Sequence, residues 1–225
     1  MKKEAFCSWS GGKDSCLALY RALQNGFEVR YLLTMFDETE DRSRSHAVAR
    51  ELIEAQADAL GIELVTAQAS WQNYEKVFVE TLKDFQNRQI THGIFGDIDL
   101  EAHREWEEKV CASAEIEAVL PLWAENRRKL VDEFLAEGFK AVVVCVNEKF
   151  LDAEFCGRIF DDQFLADLPE TVDACGENGE FHTFVFDGRI FKNPVKCEVA
   201  EIYRHETQFP SGDTEKFSYA KLLRL

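Results

Sequence analysis

Ser10-Gly11-Gly12-Lys13-Asp14-Ser15 is the stretch whose residue types and order could do chemistry. It lies between a short apolar run, 5–9, and a segment with helical periodicity, 16–23. Adjacent glycines let the backbone turn tightly and aim successive N–H groups at one point. The unsatisfied amides of a helix N-terminus, with the positive end of its dipole, favour a phosphate there. Lys13 adds a cation on a flexible stem, and Ser10 and Ser15 add hydroxyl donors. A Walker A loop needs glycines at its first and sixth positions followed by Lys and Ser or Thr. Here Asp14 separates Lys13 from Ser15, so that pattern is excluded. Read alone, the hexapeptide is either a phosphate loop or a turn capped by Asp or Ser.

A second unusual stretch is Gly176-Glu177-Asn178-Gly179-Glu180-Phe181-His182-Thr183-Phe184. Its two glutamates flank an Asn-Gly turn ahead of a mostly apolar run. One reading is a hairpin turn with solvated charges. The other aims Glu177, Glu180 and His182 into a cleft, to bind a cationic substrate, hold Mg²⁺ or orient an amine. Asp97-Ile98-Asp99 with His103 reads as a helix start with an acidic first turn rather than a metal cluster. Trp106 is spaced with Ala102 and Val110 as a core residue, and His205 reads as surface. Arg42/Arg44 and Arg127-Arg128-Lys129 read as solvated charges. His46 has the placement of an ordinary residue near a helix start.

The elements that must hold these residues alternate. Strand candidates cover 5–9, 29–36, 63–67, 93–96, 118–122 and 141–146. Between them lie amphipathic segments such as Tyr74, Val77, Phe78, Leu82 and Phe85, and one with Leu130, Phe134 and Leu135 that stops at Gly138. Strict β-α alternation predicts an α/β fold, a Rossmann-like parallel sheet with helices on both faces. The carboxyl ends of its strands are where ligands sit. After about residue 148 the rhythm changes. An acidic, partly helical stretch over 151–168 ends at Pro169, and strand-like runs follow at 181–186, 195–203 and 217–223. Asp187-Gly188 is a hairpin signal, and 208–215 reads as a loop. The expected division is a nucleotide-binding domain over 1–147 and a smaller α+β region over 148–225.

Composition narrows the class. The chain has 225 residues, 46% hydrophobic and 30% charged, enough to bury a sizeable core. A formal charge of −16 argues against a broad nucleic-acid footprint, which needs a basic face. Seven cysteines, none in a C-x-x-C pair, read as reduced, and Cys7, Cys16 and Cys145 sit in apolar runs. No clustered Cys/His spacing suggests zinc. No stretch reads as a signal peptide or membrane span, so a cytoplasmic location is expected.

Together the two unusual stretches resemble the diphthine–ammonia ligase family of the PP-loop ATP pyrophosphatase superfamily. The first marks the superfamily. The resemblance also takes in Leu33-Thr34-Met35, His46, Glu54-Ala55-Gln56-Ala57, Phe95-Gly96-Asp97, Pro121-Leu122-Trp123, 138–143 and Gly157-Arg158. It implies a HUP-type nucleotide domain and an enzyme of diphthamide biosynthesis. In the implied reaction ATP adenylates a carboxylate, ammonia displaces AMP, and amide formation accompanies release of pyrophosphate.

By the same resemblance Ser10, Gly11, Gly12, Lys13, Asp14 and Ser15 hold ATP. Thr34, Met35, Gly96 and Asp97 flank adenine and ribose, and His46 lies toward the nucleotide. Lys13, Asp14, Glu177 and Glu180 are the candidate catalytic residues. Arg158, Glu177, Asn178, Gly179, Glu180 and His182 are the candidate acceptor-binding residues. Mg²⁺ would accompany ATP, and Asp14 is either a helix cap or a metal ligand. The implied partners are ammonium and a carboxylate-bearing acceptor, diphthine on elongation factor 2 or another acceptor in a bacterial host. Association as a homodimer stays open. Relatives of archaeal type read Gly-Glu-Gly-Gly-Glu-Phe-Glu-Thr where this chain has Asn178 and His182, so another acceptor is an alternative. The chain reads as lacking the extra domains of longer members. With no cysteine after Met1 to serve as a glutaminase nucleophile, ammonia is expected to be used free. Other functions weighed are a tRNA-modifying PP-loop enzyme and a nucleotide-binding sensor without catalysis.

Overall fold

The computed structural model describes residues 3–37, 46–208 and 214–225. The strand β1 (Lys3–Ser8) is central and buried on both faces, with Ala5, Phe6 and Cys7 wholly enclosed. That burial follows from parallel pairing on each side, to β2 (Phe27–Asp37) and to β4 (His92–Ile94). With β3 (Glu63–Ala69) and β5 (Glu117–Val119) the sheet order is β3-β2-β1-β4-β5, all parallel. The order reverses between β1 and β4, so the crevice opens at the carboxyl end of β1, beside the glycine loop.

Helices cover both faces, as the alternation predicts. On one side α1 (Lys13–Gln24) and α2 (Arg50–Leu60) pack with Trp9, Leu32 and Phe36. On the other, α3 (Tyr74–Asn87) and α4 (Glu101–Ala112) bury Phe78, Leu82, Phe85 and Val110 against Phe6, Tyr31 and Leu33. The helix ends carry the expected signals. Gly61 closes α2 in the left-handed region at φ 70°, where a side chain would be strained. Asn126 caps α5 (Arg127–Ala136) by accepting from the Lys129 N–H at 3.1 Å.

Two expectations fail here. The strand over 141–146 is β6 (Lys140–Asn147), and it does not extend the parallel sheet. It is the centre of a second, antiparallel sheet with β7 (Ile159–Phe160), β8 (Phe181–Asp187) and β10 (Thr214–Arg224), with β9 (Cys197–Gln208) outside β10. A helix followed by an apolar strand looks the same in sequence whether the strand joins the old sheet or starts a new one. Asp187-Gly188 does not close a hairpin either, because β8 pairs with β6 and β9 pairs with β10. The short helix α6 (Asp162–Asp167) and a 3₁₀ turn at Ala153–Phe155 complete this smaller α+β region. Most of the loop expected over 208–215 lies outside the described residues.

The core packed around α1 and α2 continues without a break into the second sheet. Leu17, Leu19, Ile53, Leu130, Phe134, Val143, Val146, Phe181 and Val185 belong to one buried cluster. All seven cysteines are free thiols, six of them buried, and burial raises the pKa of Cys145 to about 12. Among the described residues no helix is long and apolar enough to cross a membrane.

Candidate functional site

The glycine loop is held from three sides. From the first sheet, Trp9 donates its N–H to Leu33 C=O at 2.8 Å and accepts from Thr34 Oγ1 at 2.7 Å. From α2, the fully buried Gln56 accepts from the Trp9 indole at 2.9 Å and donates to Gly11 C=O at 2.9 Å and Val185 C=O at 2.6 Å. From β8, Val185 N–H donates to Gly11 C=O at 2.9 Å, and Thr183 Oγ1 accepts from Lys13 N–H at 3.0 Å. Gly11 sits at φ 81°, and a Cβ there would lie 2.7 Å from Gln56 Oε1. A Cβ on Gly96 would lie 2.9 Å from backbone atoms of Asp14 and Ser15, so the end of β4 touches the first turn of α1. The first intrahelical bond is from Cys16 N–H to Gly12 C=O, which leaves the Asp14 and Ser15 amides among the helix's orphan donors. The Ser10 and Ser15 hydroxyls are 3.1 Å apart at the loop.

Lys13, nearly buried, places Nζ 2.7 Å from Asp14 Oδ2 and 3.9 Å from Glu177 Oε1. Burial works against its charge, but Asp14 and Glu177 outweigh it, and its pKa is raised. Burial and the Asp14 charge push the Glu177 carboxyl up to about 7, with Lys13 opposing. The two unusual stretches of the sequence therefore meet at one ammonium group.

Glu180 is placed differently from the catalytic position expected for it. It is 1% exposed, and its oxygens accept from Asp173 N–H at 3.2 Å, Asn178 N–H at 2.9 Å and Asn178 Nδ2 at 2.8 Å. The carboxylate folds the loop over 173–180 from inside. Asp173 works with it, accepting from the Cys175 and Glu177 amides. Asn178 and Gly179 stand exposed at the tip.

Arg127 corrects another expectation. It is not a solvated charge but a clasp from the start of α5. Nε and Nη2 grip Asp99 at 2.7 Å each, and Nη1 reaches Asp173 Oδ2 at 2.7 Å and Asn178 Oδ1 at 3.3 Å. The guanidinium holds the Asp99 carboxyl below its usual range. Asp97 and Asp99 precede α4 rather than forming its first turn, and Asp97 Oδ1 lies 2.6 Å from His103 Nδ1.

The remaining candidates divide between the loop and its surroundings. His46 Nδ1 lies 2.8 Å from Thr183 C=O, with its ring 4.7 Å from that of His182. Burial holds both imidazoles below the usual histidine range. Thr34 and Met35 are buried at the carboxyl end of β2. Arg158 is turned to Asp167 at 2.5 Å and lies over Phe155 and Phe164, and its described contacts do not include Glu177 or Glu180. Gln56, Thr183, Arg127 and Asp173 were not among the sequence candidates. Gln56, an uncharged polar residue amid alanines, and Thr183, within 176–184, lie in the resembling stretches, whereas Arg127 and Asp173 carried no signal.

The loop suits a phosphate chain. Side chains at Gly11 or Gly12 would collide with Gln56 and His46, so the turn needs both glycines; the Asp14 and Ser15 amides are left for an anion, and Lys13 supplies positive charge. Among the described residues no three histidine, cysteine or carboxylate side chains form a metal cluster. A magnesium ion carried by phosphates commonly needs only one or two protein carboxylates, and Asp14 is a partly exposed carboxylate at the loop that could supply one.

The family model described as the diphthamide synthase N-terminal domain matches residues 1–118, and that of the C-terminal domain matches 126–212. Mouse diphthine–ammonia ligase is 26% identical over 223 residues, covering 87% of this chain and 83% of that one. The human protein of the same name is 25% identical over 224 residues, with the same shares covered. A tRNA-specific 2-thiouridylase MnmA of Klebsiella pneumoniae is 37% identical over 87 residues, 36% of this chain and 24% of that one.

Proposed function

The chain belongs to the diphthamide synthase family, and from that premise we propose that it is an ATP-dependent amide ligase acting on a diphthine-like carboxylate and ammonia. The observation that carries the proposal is the meeting of the glycine loop and the 173–180 loop at Lys13, which stands between Asp14 and Glu177.

In the proposed reaction a carboxylate oxygen of the acceptor attacks the α-phosphorus of ATP, and the bond to pyrophosphate breaks. Ammonia then attacks the acyl carbon, the bond to AMP breaks, and the nitrogen sheds a proton as the amide forms. Ser10, Gly11, Gly12, Asp14 and Ser15 cradle the phosphates. Lys13 and the α1 amides balance the charge that grows on the leaving pyrophosphate. Gly96, Thr34, Met35 and His46 line the nucleotide side. A magnesium ion at Asp14 would add charge neutralisation. Glu177 faces Lys13 across the reacting centre, and Asn178, Gly179 and His182 lie toward the acceptor. Glu180 acts through the loop, as a positioning residue.

Incubation with ATP, Mg²⁺, ammonium and diphthine-bearing elongation factor 2 tests this. AMP and pyrophosphate should form only when the acceptor is present. ADP as product, or tight ATP binding with no turnover on any acceptor, would remove the ligase reading. Lys13→Ala should abolish turnover and weaken ATP binding, and unchanged ATP affinity would sink the phosphate role of Lys13.

A further inference from the structure

The first turn of α4 carries a pair of side chains that the proposed reaction leaves unused. His103 Nδ1 lies 2.6 Å from Asp97 Oδ1. An ionised carboxylate only accepts hydrogen bonds, so Nδ1 carries the hydrogen and the neutral ring keeps its lone pair on Nε2. The Asp97 side chain is 27% exposed and that of His103 61%, so a partly covered carboxylate orients an open imidazole. The pair stands at the mouth of the site. Asp97 directly follows Gly96, the residue pressed against the first turn of α1. Asp99, two residues on, is gripped by Arg127, which also reaches Asp173 and Asn178. Asp97 is therefore bracketed by the glycine loop and the 173–180 loop, the two stretches that meet at Lys13, and its charge is felt at Glu177.

Amide formation needs a base at this mouth. At neutral pH the nitrogen substrate arrives as ammonium, which has no lone pair, and only ammonia attacks an acyl carbon. Glu177 is poorly suited to meet it, since the Lys13 charge beside it repels an approaching cation. The groups around His103 do not. Arg127 is committed to Asp99 and Asp173, and Arg104, the next residue of α4, is turned to Glu101 and Glu108. Glu107, one turn further along α4, is buried, which raises its carboxyl to about 10 and keeps it neutral. Asp97 is thus the anion that faces the imidazole. We propose that His103 is the general base of the reaction: its Nε2 takes a proton from ammonium, and the ammonia released attacks the acyl carbon. Asp97 acts through His103 as a positioning residue, fixing the tautomer and balancing the charge that the ring gains. The exposed ring then gives its proton to solvent, which restores Nε2. This role rests on the ligase reading.

The test compares His103→Gln with wild type in the acceptor-dependent AMP assay, with ammonium or hydroxylamine as the nitrogen source. Hydroxylamine is largely neutral at pH 7 and needs no base to free its lone pair. The variant should lose about 10²-fold in kcat/KM for ammonium at neutral pH. Its rate with hydroxylamine and its KM for ATP should stay near wild type. The ammonium deficit should also shrink as pH rises and free ammonia accumulates. Equal losses with both nucleophiles, a deficit that does not change with pH, or unchanged ammonium turnover overturns the assignment. Without acceptor or ATP, the ¹⁵N ring shifts of His103 should report the Nδ1–H tautomer, and Asp97→Asn should abolish that preference. A wild-type ring protonated at Nε2 alone overturns the assignment as well. A wild-type protein that makes no AMP on any acceptor removes the ligase reading and the base role together, whereas turnover that His103→Gln leaves intact removes the base role alone.

Discussion

Val185 donates its backbone N–H to the carbonyl of Gly11 at 2.9 Å, so a strand of the antiparallel sheet fixes the turn that the parallel sheet presents. Gln56 completes the joint by bonding both carbonyls from the opposite side. The nucleotide loop is thus held by residues 45 and 174 positions away in sequence.

Gln56→Leu tests the joint. It removes three buried hydrogen bonds and leaves the Trp9 indole without its acceptor. Each orphaned buried group costs about 1–3 kcal/mol. The variant should lose at least about 2 kcal/mol in urea unfolding. A loss below about 0.5 kcal/mol, the range of an ordinary surface change, would show that the joint does not brace the fold.

Gly96→Ala tests the contact between β4 and α1. The new methyl group meets backbone, not a flexible side-chain tip, so the helix N-terminus must move. Displacing it by a fraction of an ångström should lower AMP formation by about 10²-fold while the circular dichroism spectrum stays the same. Near-normal activity would mean the first turn of α1 does not hold the phosphates.

Arg127→Gln should leave ATP affinity unchanged and lower acceptor-dependent turnover. The ion pairs it breaks are partly exposed, so stability should fall by only about 1 kcal/mol. Faster amide exchange confined to residues 173–180 is the diagnostic readout. Arg128→Gln is the control, since Arg128 is exposed and, among the described residues, pairs with Asp132 one turn on. Equal effects of the two substitutions would remove the clasp.

Glu177 gives the protein a defined pH response. Its carboxyl lies at about 7 in the folded state against 4.5 as the reference value. The folded state therefore holds the proton more tightly than the unfolded chain across that window. Stability contributed by neutral Glu177 is present at low pH and lost as pH rises through about 7. The melting temperature of Glu177→Gln, compared with wild type, should gain from about pH 4.5 to about pH 7 and then stay level. A constant difference across that range would mean Glu177 titrates normally.

How much of this was legible in the sequence depended on how local each signal was. The glycine loop, the helix stop at Gly138 and the alternation behind five parallel strands rest on neighbours within a turn or two, and each is found as expected. Arg127 was misread because it stands next to Arg128, which does make an ordinary i,i+4 surface pair. Nothing local separates the two. Glu180 carries the composition of a reactive loop acid, and only the three donors folded onto it reveal a positioning role. β6 was assigned to the wrong sheet because its apolar run fits either partner, and the choice is made by β8 and β10 far along the chain.

The unbroken core around α1, Ile53, Val143 and Val185 has a consequence for inheritance. The family's two recognisable segments, over 1–118 and 126–212, are not interchangeable modules. Transplanting either into another protein would strip the glycine turn of Val185 and Thr183, or strip β8 of Gln56. The two segments have to be passed on, and to diverge, as a matched pair.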